Sequence, residues 1–283
     1  MVPSNLRNFS KQLALRISFI VIVLLVILAL WRQEVAPSTS SKNANTNTHL
    51  LNPTSDTMSN ESIEVIYNPA QHANIDHAII WLHGLGATAN DFPPVIPELK
   101  LNEQLAIRFV FPQAPNRPIT INGGMSMPGW YDIKGMSIDQ KEDLAGMTES
   151  QHMLEAIIAQ QISLGVPSEN IIIAGFSQGG AVAYYTAIRS SQKLAGLLAL
   201  STYMPFAQVA KQEHSGINTR IAVLASHGEH DQVVPLALGQ SSAEALRELG
   251  YSVTWQTYPM EHQVNLEQLR DIGTWINNTL TAQ

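Results

Sequence analysis

The chain has 283 residues, 45% of them hydrophobic and 14% charged, which is enough apolar content for one large core and too much for a disordered or fibrous protein. Its net charge of −7 argues against nucleic acid as a partner. It has no cysteine, so disulfides, thiolate nucleophiles, iron–sulfur clusters and cysteine-ligated zinc are all excluded.

Residues 1–16 form a basic N-terminal segment with Arg7, Lys11 and Arg16, followed by an apolar run from Ile17 to Trp31 broken only by Ser18. A positive flank before an apolar run reads as a signal segment or a membrane anchor. Counted from Leu13, the run would make a helix of roughly 28 Å, close to a bilayer's hydrocarbon thickness. A small-x-small cleavage site is poorly formed at Glu34-Val35-Ala36, which Pro37 follows, so an uncleaved single-pass anchor is expected. The charge asymmetry then places the N-terminus in the cytoplasm and the rest on the non-cytoplasmic side. A cytoplasmic or exported soluble protein is the alternative. Residues 32–61 are small and polar, too poor in apolar side chains to offset the entropy of ordering, and read as a flexible linker.

From 62 to 283 short β-rich runs alternate with longer helical patterns. Strands are expected at Ile63 to Tyr67 and His77 to Leu82. The second runs into Trp81-Leu82-His83-Gly84-Leu85-Gly86, a glycine-rich turn whose backbone amides can face inward. A third strand covers Ala106 to Phe111. The Gly- and Pro-rich stretch from Pro112 to Gly129 is too long for a plain connection and reads as a functional loop.

A helix is expected over Glu149 to Leu164 and a strand over Asn170 to Ala174, followed by Gly175-Phe176-Ser177-Gln178-Gly179 and a helix over Gln178 to Ser190. Strand, G-x-S-x-G, helix is the context of a nucleophile elbow. The sharp turn lifts the Ser177 hydroxyl off the sheet and leaves the Gln178 N–H at a helix N-terminus, where it can receive an oxyanion. The Leu85 N–H is the expected second donor.

Serine is inert at neutral pH without a base, and elbows of this kind take an acid and then a histidine from further along the chain. Strands at Leu194 to Leu200 and Arg220 to Ala225 precede Ser226-His227-Gly228-Glu229-His230-Asp231. A helix over Leu238 to Leu249 and a strand over Ser252 to Thr257 precede His262, and a last helix covers Leu266 to Leu280. Asp231 and His262 both lie one loop beyond a strand, so with Ser177 they emerge on the same edge of the sheet, where open α/β sheets carry their sites. The expected roles are Ser177 as nucleophile, His262 as proton shuttle and Asp231 as its orienting carboxylate. One loop rarely supplies a whole coordination sphere, so no metal is expected at His227 and His230. Runs such as Ile171-Ile172-Ile173 are apolar on successive residues, which implies a mostly parallel sheet flanked by helices on both faces.

The turn His83-Gly84-Leu85-Gly86, the loop FPQAPNRPITINGGMSMPGWYD, the elbow GFSQGGA and the tail WQTYPMEHQV resemble the carboxylesterase, lysophospholipase and acyl-protein thioesterase branch of the α/β-hydrolases. The long loop and GWYDIKGMS are most similar to bacterial carboxylesterases. The resemblance implies an α/β-hydrolase catalytic domain over 62–283 and a Ser177, Asp231, His262 triad, with an oxyanion hole from the Leu85 and Gln178 amides. It implies acyl esters or thioesters, including lipidated ones, as substrates, with no cofactor or metal. It also assigns Met125, Met127 and Trp130 to the rim of the acyl-binding cleft. Glu261 stands where the family commonly has glycine before the histidine. The rival expectations are a non-catalytic binding module on the same scaffold, since fold does not dictate function, and a hydrolase of another bond, such as a peptide or lactone.

Overall fold

In a β-strand successive side chains face opposite sides of the sheet, and in the central strands both sets are apolar. Ile171 and Ile173 sink into one core with Ala78, Ile80, Leu82 and Leu197. Ile172 and Ala174, between and beside them, join Ile79, Trp81, Leu198 and Leu200 in a second core on the other face. A sheet patterned in this way needs cover on both sides. The structure is a computed structural model that describes residues 62–68, 74–135 and 143–281.

The strands are β1 (Ile63–Tyr67), β2 (His77–Leu82), β3 (Ile107–Phe111), β4 (Asn116–Ile119), β5 (Met125–Pro128), β6 (Ile171–Phe176), β7 (Gly196–Leu200), β8 (Ala222–Gly228) and β9 (Val253–Tyr258). Seven of them form one sheet in the order β1-β3-β2-β6-β7-β8-β9, with β4 and β5 making a separate antiparallel pair. Only β1 runs antiparallel to its neighbour, with Ile63 opposite Phe111. The helices are α1 (Leu144–Ser163), α2 (Gln178–Arg189), α3 (Ala207–Glu213), α4 (Leu236–Glu248) and α5 (Leu266–Thr281). The first core takes Met147, Leu154 and Ile158 from α1, nearly every side chain of α2, and Leu246 from α4. The second takes Leu269, Ile272, Ile276 and Leu280 from α5, together with a 3-10 helix at Pro93–Leu99.

The topology places the chemistry. Parallel β2, β6, β8 and β9 all end on the same edge, and these four ends lead into Gly84-Leu85, Ser177, Asp231 and His262 respectively.

The membrane-spanning expectation is corrected. Among the described residues no helix is long and apolar enough to cross a membrane. The longest, α1 at 20 residues, exposes Glu149, His152 and Gln160 on the side away from its buried stripe. The segment 17–31 and the linker 32–61 lie outside the described residues. The transmembrane helix and the single-pass, non-cytoplasmic placement built on it are therefore withdrawn.

Candidate active site

Ser177 sits between β6 and α2 at φ 53° and ψ −121°, a region that residues with a Cβ seldom occupy and that costs on the order of 1–3 kcal/mol. The surroundings hold it there. Its N–H donates to Leu200 C=O of β7 at 2.9 Å, and its own C=O accepts from Ala181 N–H at 3.1 Å and Thr202 Oγ1 at 2.6 Å. Two glycines make the close approach possible. A Cβ on Gly175 would lie 2.3 Å from the Gly179 carbonyl carbon, and one on Gly179 would lie 2.5 Å from His83 C=O, both shorter than atoms can approach.

Asp231 is enclosed at the end of β8, its side chain without solvent exposure. Its Oδ1 accepts from the Val233 and Val234 N–H groups at 2.9 and 2.8 Å. Its Oδ2 lies 2.7 Å from His262 Nδ1 and 3.3 Å from His227 Nε2. Burial alone would raise the carboxyl's pKa, but the donors from His227, His262 and Val234 outweigh it and hold the pKa well below the usual carboxylate range. An ionised carboxylate only accepts, so His262 Nδ1 carries a proton, and in the neutral ring the lone pair is on Nε2. The His262 ring lies against Phe176, the residue before Ser177, with centroids 4.8 Å apart. His227 Nε2 also faces Val234 C=O at 2.8 Å, so the second imidazole ties down the loop that wraps Asp231.

Ser177, His262, Leu85 and Gln178 line one cleft of about 770 Å³. Gln178 opens α2, and the first N–H groups of a helix have no partner within it. Phe92, Val95, Ile121, Ile133, Val234 and Leu238 give the cleft an apolar wall. Met125, on β5, is 63% exposed, and neither it nor half-buried Met127 is among the lining residues. Trp130 is 1% exposed and is not among the lining residues either. Its indole Nε1 donates to His83 C=O at 2.7 Å, and its N–H donates to Gln178 Oε1 at 2.8 Å. The Gln178 Nε2 in turn donates to Tyr131 C=O at 2.6 Å. The Gln178 carboxamide thus bonds the Trp130 N–H and the Tyr131 C=O together, a role the motif alone does not reveal. Among the described residues no group of three or more His, Asp or Glu is placed to hold a metal ion.

A largely parallel sheet with a serine on a strand–helix elbow and an acid–imidazole pair at the ends of later strands defines an α/β-hydrolase. The sequence profile of the phospholipase/carboxylesterase family matches residues 61–280, and the chain belongs to that family. It is a serine hydrolase of the ester- and thioester-cleaving type. Acyl-protein thioesterase 1 of Gibberella zeae is 36% identical over 213 residues, covering 71% of this chain and 90% of its own. Among solved structures, Arabidopsis thaliana SOBER1 superposes with a TM-score of 0.68 at 30% identity, covering 72% of this chain and 99% of its own. Zea mays acyl-protein thioesterase 2 superposes with a TM-score of 0.65 at 27% identity, covering 77% and 99%.

Proposed function

We propose that the protein cleaves acyl esters or thioesters through an acyl-enzyme on Ser177. His262 Nε2 takes the Ser177 hydroxyl proton as Oγ attacks the acyl carbon, and the Leu85 and Gln178 amides receive the oxyanion. Collapse breaks the carbon–oxygen or carbon–sulfur bond, and the leaving group departs with the proton from His262. Water then repeats the sequence to release the acid and restore Ser177. Asp231 keeps the imidazole in the tautomer this requires.

The observation that carries the reading is the 2.7 Å contact between Asp231 and His262 on the wall of the cleft into which Ser177 opens. The apolar wall suits an acyl chain, and the likeness to acyl-protein thioesterases supports S-acylated, lipidated substrates. The test is covalent labelling with a fluorophosphonate, which requires an activated serine, alongside turnover of a short acyl ester. Wild type should label and turn over, and Ser177→Ala should do neither. Equal turnover by Ser177→Ala would end the proposal.

A further inference from the structure

His83 is a polar residue immediately after β2, following the apolar run Ala78 to Leu82, and its side chain is buried. Its Nδ1 lies 2.7 Å from Gly84 C=O, and a carbonyl only accepts, so Nδ1 carries the hydrogen. Its Nε2 receives the Ala114 N–H at 3.1 Å and so is bare. Both bonds demand the same neutral tautomer. Burial, which disfavours the charged ring, outweighs the Gly84 hydrogen bond and the Asp91 charge that favour it.

The consequence lies in the next peptide. A trans peptide is planar, with its C=O and N–H pointing in opposite directions. Holding the Gly84 carbonyl therefore aims the Leu85 N–H the other way, and Leu85 lines the cleft with Ser177. The preceding peptide is held as well, because His83 C=O accepts the Trp130 indole N–H. Two successive peptides of the turn are thus oriented by side chains, before any substrate arrives.

We propose that His83 is a positioning residue for the oxyanion hole: its ring N–H fixes the peptide that presents the Leu85 amide to the acyl group. The proposal rests on the Ser177 reading above, and it separates two functions of one ring. The Nδ1–H orients the Leu85 amide, whereas Nε2 ties the turn to Ala114.

Two near-isosteric substitutions divide those functions. Asparagine places an amide nitrogen near the Nδ1 position and keeps the bond to Gly84. Glutamine reaches the Nε2 position and keeps a partner for Ala114 but leaves Gly84 C=O with only the longer bond from the Ala87 N–H at 3.2 Å. His83→Asn should retain most of the turnover, while His83→Gln should lose about 10- to 100-fold in kcat at nearly constant KM, since the affected bond forms fully only in the transition state. A purely structural tie gives the reverse order, with His83→Gln tolerated and His83→Asn impaired, and would overturn the proposal; so would equal losses in both. If either variant fails to fold, ¹⁵N imidazole shifts of the wild-type protein test the tautomer on which the assignment depends. A protonated Nδ1 with a bare Nε2 supports the assignment, and the opposite tautomer refutes it. Fluorophosphonate labelling keeps the two levels apart. An unlabelled wild type sinks the Ser177 reading, whereas a labelled wild type with the reversed order of variants sinks the His83 assignment alone.

Discussion

Replacing Gly179 with alanine tests how closely the elbow must pack against β2. The added Cβ would lie 2.5 Å from His83 C=O, 2.6 Å from Leu82 C=O and 2.7 Å from the Leu82 carbonyl carbon. All three are backbone atoms in the middle of the sheet, so no side chain can swing aside. Ordinary contact begins at 3.4 Å, so α2 and the end of β2 must part by about 0.9 Å. Two effects oppose each other in stability. Overpacking costs about 1–3 kcal/mol, while alanine's helix propensity returns about 1 kcal/mol. The net loss of up to about 2 kcal/mol lowers Tm by at most about 8 °C in a protein of this size. Activity has no such compensation, because the Leu85 amide rides on the displaced strand end and the Gln178 amide on the helix. Misplacement of about 1 Å costs on the order of 100-fold, which is the loss expected in kcat. Steady-state turnover of a p-nitrophenyl ester, the rate of phosphonate labelling and a thermal melt measure all three quantities. A variant within threefold of wild-type kcat would show that this spacing does not set the geometry of the hole.

Asp231→Asn should lower kcat by about 10⁴-fold with the fold intact, because an amide no longer enforces the His262 tautomer; steady-state kinetics beside circular dichroism would show it. The same carboxylate makes stability depend on pH. Its pKa in the folded protein is depressed below the value of about 3.9 expected in the unfolded chain, so the stabilisation is complete above roughly pH 4 and is lost as the pH falls below that. The Tm difference between wild type and Asp231→Asn should narrow in that acidic window, and a difference constant from pH 3 to 7 would contradict the linkage. For acyl specificity, each methylene buried against the apolar wall is worth about 0.8 kcal/mol, so kcat/KM should rise about fourfold per added carbon until the cleft is filled. A series of p-nitrophenyl esters flat from acetate to octanoate would refute an acyl-binding role for that wall.

The parts of the fold readable in the sequence are those governed by local pattern. Ile171-Ile172-Ile173 announces a strand buried on both faces, and α5 shows its stripe at Leu269, Ile272, Ile276 and Leu280. Other elements are held by distant partners and give no local sign. The Pro112 to Gly129 stretch contains β4 and β5, which are short, largely exposed and interrupted by Pro118. They are fixed instead by Arg117 on Glu149, Thr120 on Asp132 and Gly86 on Pro128. Helix α1 begins at Leu144 rather than Glu149, and Gly146 in its first turn lies too close to Asp143, Arg117 and Tyr131 to admit a side chain, contacts no spacing rule encodes. The 3-10 helix at Pro93–Leu99 is hidden by Pro97 within it.

In the site, the same division holds. The elbow is legible because steric necessity confines its residue types. The pairing of Asp231 with His262, 31 positions apart, follows from strand order. The place of Trp130 does not: an indole beside two methionines suggests a greasy rim, whereas its N–H has found a backbone carbonyl inside the protein. The contributions of His83, His227 and the Gln178 carboxamide depend on where a ring or amide points, which one chain's letters do not state. The nearest available signal is a histidine directly after the apolar run Ala78 to Leu82.

The bonds around Ser177 also bear on attempts to move this chemistry elsewhere. The unfavourable backbone angle is maintained by Leu200 at the end of β7 and by Thr202 just beyond it, and the room for the turn is defined by the end of β2. A pentapeptide grafted onto another strand–helix junction would carry the letters and leave behind the neighbours that keep them bent. The transplantable unit is three adjacent strand termini drawn from the stretch of chain between Leu82 and Thr202.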